Sequence, residues 1–377
     1  MKITFTKSWI AFIFIIYLNN SATAGTQPGE NSKALTLPVD SPKKEQAPPS
    51  QMLTFPVSSN TAKMTLNGYS GVRYQYYLDD KTPNSFDIRN ARLALKGTVL
   101  RNLAYNFQCD FAPPTVRLMD ATAAYTFNKY AKIAVGQQKY PLSYESLRLD
   151  YDVRSVNRSQ AVEALTSRSK DVIATAFSTT AVNNNGRDIG VFFSGGIPNK
   201  KNESTWVDYY VAIVNGMGIN RSDPDSHKDI AGRIVVHPIK YLGMGGSFYK
   251  GKATYGIDLT EPKDRNRIDF EISYEDGNRI YAVVEYLQGL DSTTRKGGYY
   301  GMLEGYILPK KFSALVKYDF YDPNKNKDDD ATTITNFALN YYFASFTKIQ
   351  LQYDLKHENT ETQKKNDLIS IQAQVFF

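Results

Sequence analysis

The sequence predicts an all-β fold, a transmembrane antiparallel β-barrel of 16 strands with a long third loop folded into the pore. Three observations predict it. From Met64 onward apolar and polar residues alternate with a period of two, the connections alternate between short and long, and the chain stops on an aromatic. In the closing stretch "DLISIQAQVFF" (367–377), Ile369, Ile371, Ala373, Val375 and Phe377 alternate with Ser370, Gln372 and Gln374. Such a period gives a strand one apolar and one polar face.

The N-terminus is different. Lys2 and Lys7 precede an apolar run from Trp9 to Leu18, and "SATAG" follows with Ala22 and Ala24 in cleavage spacing. This is a signal peptide, residues 1–24, too short to span a bilayer. Residues 25–63 carry Pro28, Pro38, Pro42, Pro48, Pro49 and Pro56 among Ser, Gln and Lys without apolar periodicity. They read as a disordered periplasmic leader ahead of a barrel over 64–377.

Within the barrel region the alternation recurs. In 346–356, Ile349, Leu351, Tyr353 and Leu355 oppose Lys348, Gln350, Gln352, Asp354 and Lys356. Phe312, Ala314, Val316, Tyr318 and Phe320 oppose Ser313, Lys317 and Asp319, and Ile268, Phe270, Ile272 and Tyr274 oppose Arg267, Asp269 and Glu271. The predicted strands cover 64–78, 86–100, 103–111, 118–127, 131–140, 187–196, 205–215, 229–238, 242–252, 266–274, 279–289, 296–307, 311–321, 332–343, 346–357 and 367–377. Most have the length of about 9 to 11 residues or more that a membrane-spanning strand requires, against about 5 to 6 in a soluble sandwich. "RN", "NKY", "IKY", "EDGN", "PK" and "AS" are short turns, "PNKKNES" a longer one, and polar loops lie between them. An even number of strands with short turns at one end and long loops at the other describes an outer-membrane barrel.

Sixteen strands leave an aqueous channel. Its expected lining includes Arg73, Arg92, Lys96, Asp110, Asp120, Lys317, Asp319, Lys348, Asp354 and Lys356, too polar for a packed core. The third long connection, 46 residues between Tyr140 and Arg187, mixes charge with Leu147, Leu149, Val153, Val156 and Val162. A loop of that length is functional or disordered, and folded into the lumen it narrows the pore.

Several segments resemble one family. "FDIRNARLALKG" (86–97), "AVGQQKYPLS" (134–143), "RDIGV" (187–191), "IVNGMG" (213–218) and "AGRIVVHP" (231–238) together resemble the phosphate-selective porin O and P family over roughly 64–377. The resemblance implies a sixteen-stranded homotrimeric porin of the Gram-negative outer membrane whose third loop enters the pore, with basic residues along an anion path. Carried over by position, the loop candidates are Arg148, Arg154, Arg158, Arg168 and Lys170. Arg73, Arg92 and Lys96 are candidates on the lumen wall. The same span holds Glu145, Asp150, Asp152, Glu163 and Asp171, five acids against five bases. Phe377 ends a lipid-facing row and resembles the signal read by the barrel-assembly machinery.

Other classes find little support. The formal charge of +7 falls to +5 without Lys2 and Lys7, too mild to indicate a nucleic-acid partner. One cysteine, Cys109, forms no internal disulfide. His227, His237 and His357 are scattered, with no nucleophile and base in a recognised pattern, no metal cluster and no phosphate-cradling glycine loop. The acids Asp322, Asp328, Asp329 and Asp330 lack EF-hand spacing. The expectation is therefore no enzyme, cofactor or metal, and a diffusion porin for small hydrophilic solutes or anions with outer-membrane lipids around it. A surface binding or adhesion barrel with an occluded lumen is the alternative.

Overall fold

The computed structural model describes residues 53–54, 63–79, 81–167, 186–199, 205–223, 226–255, 261–358 and 365–377. The alternating segments become long antiparallel strands. A two-residue strand, β1 (Leu53–Thr54), precedes the barrel strands β2 (Lys63–Tyr77), β3 (Ser85–Leu100), β4 (Leu103–Asp110), β5 (Arg117–Asn128) and β6 (Ala131–Lys139). The inner loop carries α1 (Tyr144–Leu147), a single 3-10 turn (Asp150–Asp152) and α2 (Gln160–Thr166). The strands resume with β7 (Arg187–Pro198), β8 (Thr205–Val214), β9 (Asp229–Val236), β10 (Leu242–Tyr255), β11 (Glu261–Glu275) and β12 (Ile280–Asp291). The last five are β13 (Thr294–Leu308), β14 (Phe312–Asp322), β15 (Thr332–Tyr342), β16 (Lys348–Glu358) and β17 (Leu368–Phe376).

Each barrel strand pairs antiparallel with its sequence neighbours, and β17 pairs with β2 from Leu368 opposite Tyr77 to Phe376 opposite Tyr69. The sixteen strands β2 to β17 therefore close on themselves, and no sheet edge faces lipid. Phe377 and Gly68 exchange backbone hydrogen bonds of 2.9 and 2.8 Å at the end of that ladder. Beyond it, Leu53 and Thr54 pair with Leu66 and Thr65, continuing the line of β17 along β2. Within the stretch expected to be a structureless leader, these two residues are thus paired and Lys63 opens β2. The rest of the leader and the signal peptide lie outside the described residues.

Outward positions are apolar. Ile349, Leu351 and Leu355 on β16 and Ile371, Val375 and Phe377 at the end of the chain are exposed on the outer face, where hydrocarbon replaces water at no cost to aliphatic and aromatic groups. The alternate residues Lys348, Gln350, Gln352 and Asp354 turn inward and are buried. Cys109 lies on the outer row of β4, half-buried and without a disulfide.

The inner face departs from expectation in one respect. The polar face of β17 does not line an open aqueous channel here: Gln372 donates to Gln350 at 3.0 Å and Gln374 to the Tyr151 carbonyl at 2.9 Å. A segment of the chain occupies this part of the interior. A β-bulge opposite Gly71 and Val72 inserts Arg89 as an extra residue in β3, and bulges re-aim side chains.

Candidate functional site

The chain leaves β6 at Lys139 and turns inward at once. Ser143 takes φ 69°, a strained choice for a residue with a Cβ, held because its N–H donates to Ser247 Oγ at 3.2 Å and its Oγ accepts from the Ser146 N–H at 3.1 Å. The first two N–H groups of α1, on Tyr144 and Glu145, donate to the Glu285 carboxylate of β12 at 2.8 and 3.2 Å. The Tyr300 hydroxyl of β13 donates to the same carboxylate at 2.7 Å.

Arginines then fasten the segment to the wall. Arg148 donates to Glu275 at the end of β11 at 2.9 Å and to Asp152 at 2.6 Å, with its guanidinium 5.3 Å from the Tyr281 ring centre. Arg154 pairs with Glu275, lies 3.6 Å from Glu304 of β13 and donates to the Tyr306 hydroxyl at 2.8 Å. Arg158 pairs with Asp150 at 2.8 Å, and Asp150 also pairs with Arg92 of β3, which donates to Asp110 at 2.8 Å. Burial opposes ionisation of Asp150, yet the guanidiniums of Arg92 and Arg158 hold its carboxyl well below the usual range.

Further strands are reached next. The Val153 carbonyl accepts from Lys348 of β16 at 2.6 Å, the Arg154 carbonyl from Gln350 at 2.8 Å, and the Val156 N–H donates to Gln352 at 2.7 Å. Asn157 Oδ1 accepts from Arg73 of β2 at 3.0 Å and Arg89 of β3 at 2.9 Å, while its carbonyl accepts from Lys317 of β14 at 2.8 Å. Ser159 and Gln160, at the start of α2, both donate to Asp319 of β14 at 2.8 Å. A segment bonded to inward side chains of β2, β3, β11, β12, β13, β14 and β16 crosses the barrel interior.

α2 is seated by small residues. A Cβ on Gly289 of β12 would lie 2.5 Å from Leu165 Cδ2, so that glycine leaves the space the leucine fills. Val156, Ala161, Val162 and Leu165 are wholly buried, which accounts for the apolar residues scattered among the loop's charges.

The segment touches both sides of the wall but covers the acids of one more fully than the bases of the other. Glu271, Glu285, Glu304, Asp319 and Asp354, on β11 to β16, are buried beneath or beside it. Arg73, Arg89, Lys96, Lys132 and Lys139, on β2 to β6, retain partial exposure, against Asp87 and Asp120 as acids of the same standing. Arg73 is bound to Asp87 through two hydrogen bonds of 3.0 and 2.5 Å. Arg89, Lys96 and Lys132 make no ion pair among the described residues.

Of the residues singled out in the sequence, Arg148, Arg154 and Arg158 come together in the crossing segment, and Arg73 and Arg92 meet it from the wall. Lys96 stands apart, two residues beyond Ala94 on the inward row of β3. Arg168 and Lys170 lie outside the described residues. Sequence reasoning missed Glu275, Glu285, Glu304, Arg89 and Asn157. Only the bulge residue Arg89 sits within a recognised segment, "FDIRNARLALKG", where its position gives no alternation cue. Among the described residues no group of three or more His, Cys, Asp or Glu could hold a metal ion.

A closed barrel of sixteen membrane-length strands, apolar outside and charged within, with a loop crossing its interior, is an outer-membrane porin. The chain matches the family described as phosphate-selective porin O and P over residues 63–280. It belongs to that family. Among solved structures, an anion-selective porin from Comamonas acidovorans is similar with a TM-score of 0.61 at 13% identity, covering 84% of this chain and 100% of that one. The outer membrane channel DcaP of Acinetobacter baumannii aligns with a TM-score of 0.58 at 12% identity, over 85% of this chain and 99% of that one. OmpT of Vibrio cholerae in its trimer form gives 0.55 at 11% identity, over 84% and 100%. No curated protein matches the chain in sequence.

Proposed function

We propose that the channel passes small hydrophilic solutes with a modest preference for anions, phosphate among them, and that the less covered wall of β2 to β6 sets this preference. The carrying observation is the unequal cover of the two walls: the crossing segment lies over the acids of β11 to β16 and leaves Arg89, Lys96 and Lys132 partly exposed. The loop's own arginines contribute little net charge to the ion path. Arg148 and Arg154 are matched by Asp152, Glu275 and Glu304, and Arg158 by Asp150. In this reading Arg148, Arg154, Arg158 and Arg92 hold the constriction in place, while Arg73, Arg89 and Lys96 face the solute.

Two unit charges about 4 Å apart interact by about 4 kcal/mol at an effective dielectric of about 20. Even a small remainder after screening changes ion partition several-fold. Reversal potentials across a planar bilayer in a salt gradient test the assignment. The wild type should show the sign for anions, Arg89→Gln with Lys96→Gln should move the potential toward zero, and Arg154→Ala with Arg158→Ala should chiefly increase current noise. A cation preference in the wild type would overturn the reading.

The neighbour solved as a trimer supports assembly of three copies here as well, and crosslinking of native membranes followed by denaturing electrophoresis tests it. A barrel that inserts and passes no current would favour the occluded binding barrel instead.

A further inference from the structure

The two rims of the barrel differ in charge. The seven short connections lie at the end where β2 begins and the chain terminates. In outer-membrane barrels that end faces the periplasm. Among their described residues, Arg101, Lys129, Lys240, Arg279, Lys310 and Lys311 are all exposed, and the single acid is Asp276. Asp276 is turned to its own backbone, accepting from the N–H groups of Asn278, Arg279 and Ile280 at 2.9, 2.7 and 3.1 Å. The long-loop rim is mixed: among its described residues Asp79, Asp223, Asp328, Asp329, Asp330 and Asp367 accompany Lys81, Arg221, Lys228, Lys325, Lys327 and Lys365.

The basic residues lie in the exposed turns of this rim, beside groups that suit a membrane interface. Lys129 Nζ lies 4.9 Å from the Tyr130 ring centre and Lys240 Nζ 4.5 Å from that of Tyr241. Exposed apolar residues flank them on the outer face, among them Leu100, Phe127, Ile239, Leu308 and Phe343. Aromatic rings settle at the headgroup level of a bilayer, and lysine and arginine beside them reach the phosphates. Arg101, Lys129, Lys240 and Lys311 make no ion pair among the described residues, so their charge is available to an external partner.

We infer that this basic rim is a binding collar for anionic phospholipid headgroups of the periplasmic leaflet, of the phosphatidylglycerol class. The argument for lipid is position and charge together: a ring of cations spaced around the circumference, each beside an apolar outer residue, matches a ring of boundary lipids. A compact soluble acidic protein would be served by a single patch. Each lysine or arginine near an anionic surface adds attraction that falls away within a Debye length.

The test uses the full barrel in nanodiscs of phosphatidylcholine with a minority of phosphatidylglycerol, with retained lipids counted by native mass spectrometry. The wild type should retain phosphatidylglycerol several-fold above its bilayer share, and added salt should reduce that excess. Arg101→Gln, Lys129→Gln, Lys240→Gln and Lys311→Gln combined should abolish most of it. A matched variant of the opposite rim, Lys81→Gln, Lys325→Gln, Lys327→Gln and Lys365→Gln, should keep it. Heat-modifiable mobility verifies folding of each variant, and the salt series on the wild type stands without any variant. No enrichment in the wild type, or equal enrichment in both variants, overturns the collar.

Discussion

Arg148 of the inner loop donates to Glu275 of β11 at 2.9 Å across 127 positions of sequence. Both side chains are buried, and Arg154 joins the same carboxylate. At this junction two buried guanidiniums share one carboxylate, so removing that group leaves both cations with less compensation.

Glu275→Gln should therefore loosen the loop while the barrel still forms. Breaking one partner from a buried ion pair costs about 3 to 5 kcal/mol because the remaining cation is uncompensated. Single-channel records should show added closures and noise at unchanged heat-modifiable mobility. Quiet, wild-type currents would mean that Arg148 and Arg154 find other anchors.

Gly289→Leu should displace Leu165 and unseat α2. Overfilling a packed site costs about 1 to 3 kcal/mol, which is felt by a seven-residue helix far more than by the wall strand behind it. Amide hydrogen exchange over residues 160–166 should accelerate by an order of magnitude or more, with protection of β12 retained.

Phe377→Ser, and deletion of Phe377, should lower the yield of assembled barrel several-fold without altering the conductance of what assembles. The ring is on the outer face and a Cβ at Gly68 would lie 2.8 Å from its Cζ, so Gly68→Val should reproduce part of the defect. Heat-modifiable mobility of membrane fractions reads both. Full assembly of either variant would remove Phe377 from the closing step.

Acid should release the Asp150 junction late. Its carboxyl in the folded protein titrates well below the usual carboxylate range, against about 3.9 in an unfolded chain. A depressed value stabilises the folded arrangement fully above the unfolded value, and that contribution fades only as pH falls through the folded one. Channel noise should thus stay low from neutral pH to about 4 and rise below it. Asp150→Asn should be noisy throughout, since Arg92 and Arg158 then face each other without the anion between them.

The strands were legible because their signal is local. Each of the sixteen predicted segments overlaps a barrel strand, since a period of two forces neighbouring residues to opposite faces whatever the partner strand is. The entry of a segment into the interior was also visible, in the apolar Val153, Val156 and Val162 among charges. Which wall it meets was not. Glu275, Glu285 and Glu304 alternate like any inward polar residue, and their meeting with loop groups more than a hundred positions away leaves no periodic trace. The role of Arg89 was hidden for a related reason: a bulge breaks the alternation that sorts inward from outward.

The closing seam has a further consequence for how such a channel can change. Every pairing in the barrel joins consecutive strands except the one between β17 and β2. A hairpin lost or duplicated anywhere between them would leave that seam intact and require one new pairing, at the join. Circumference is therefore adjustable in steps of two strands, and descent with altered bore asks for one new strand junction while the closing seam and the remaining ladders stay as they are.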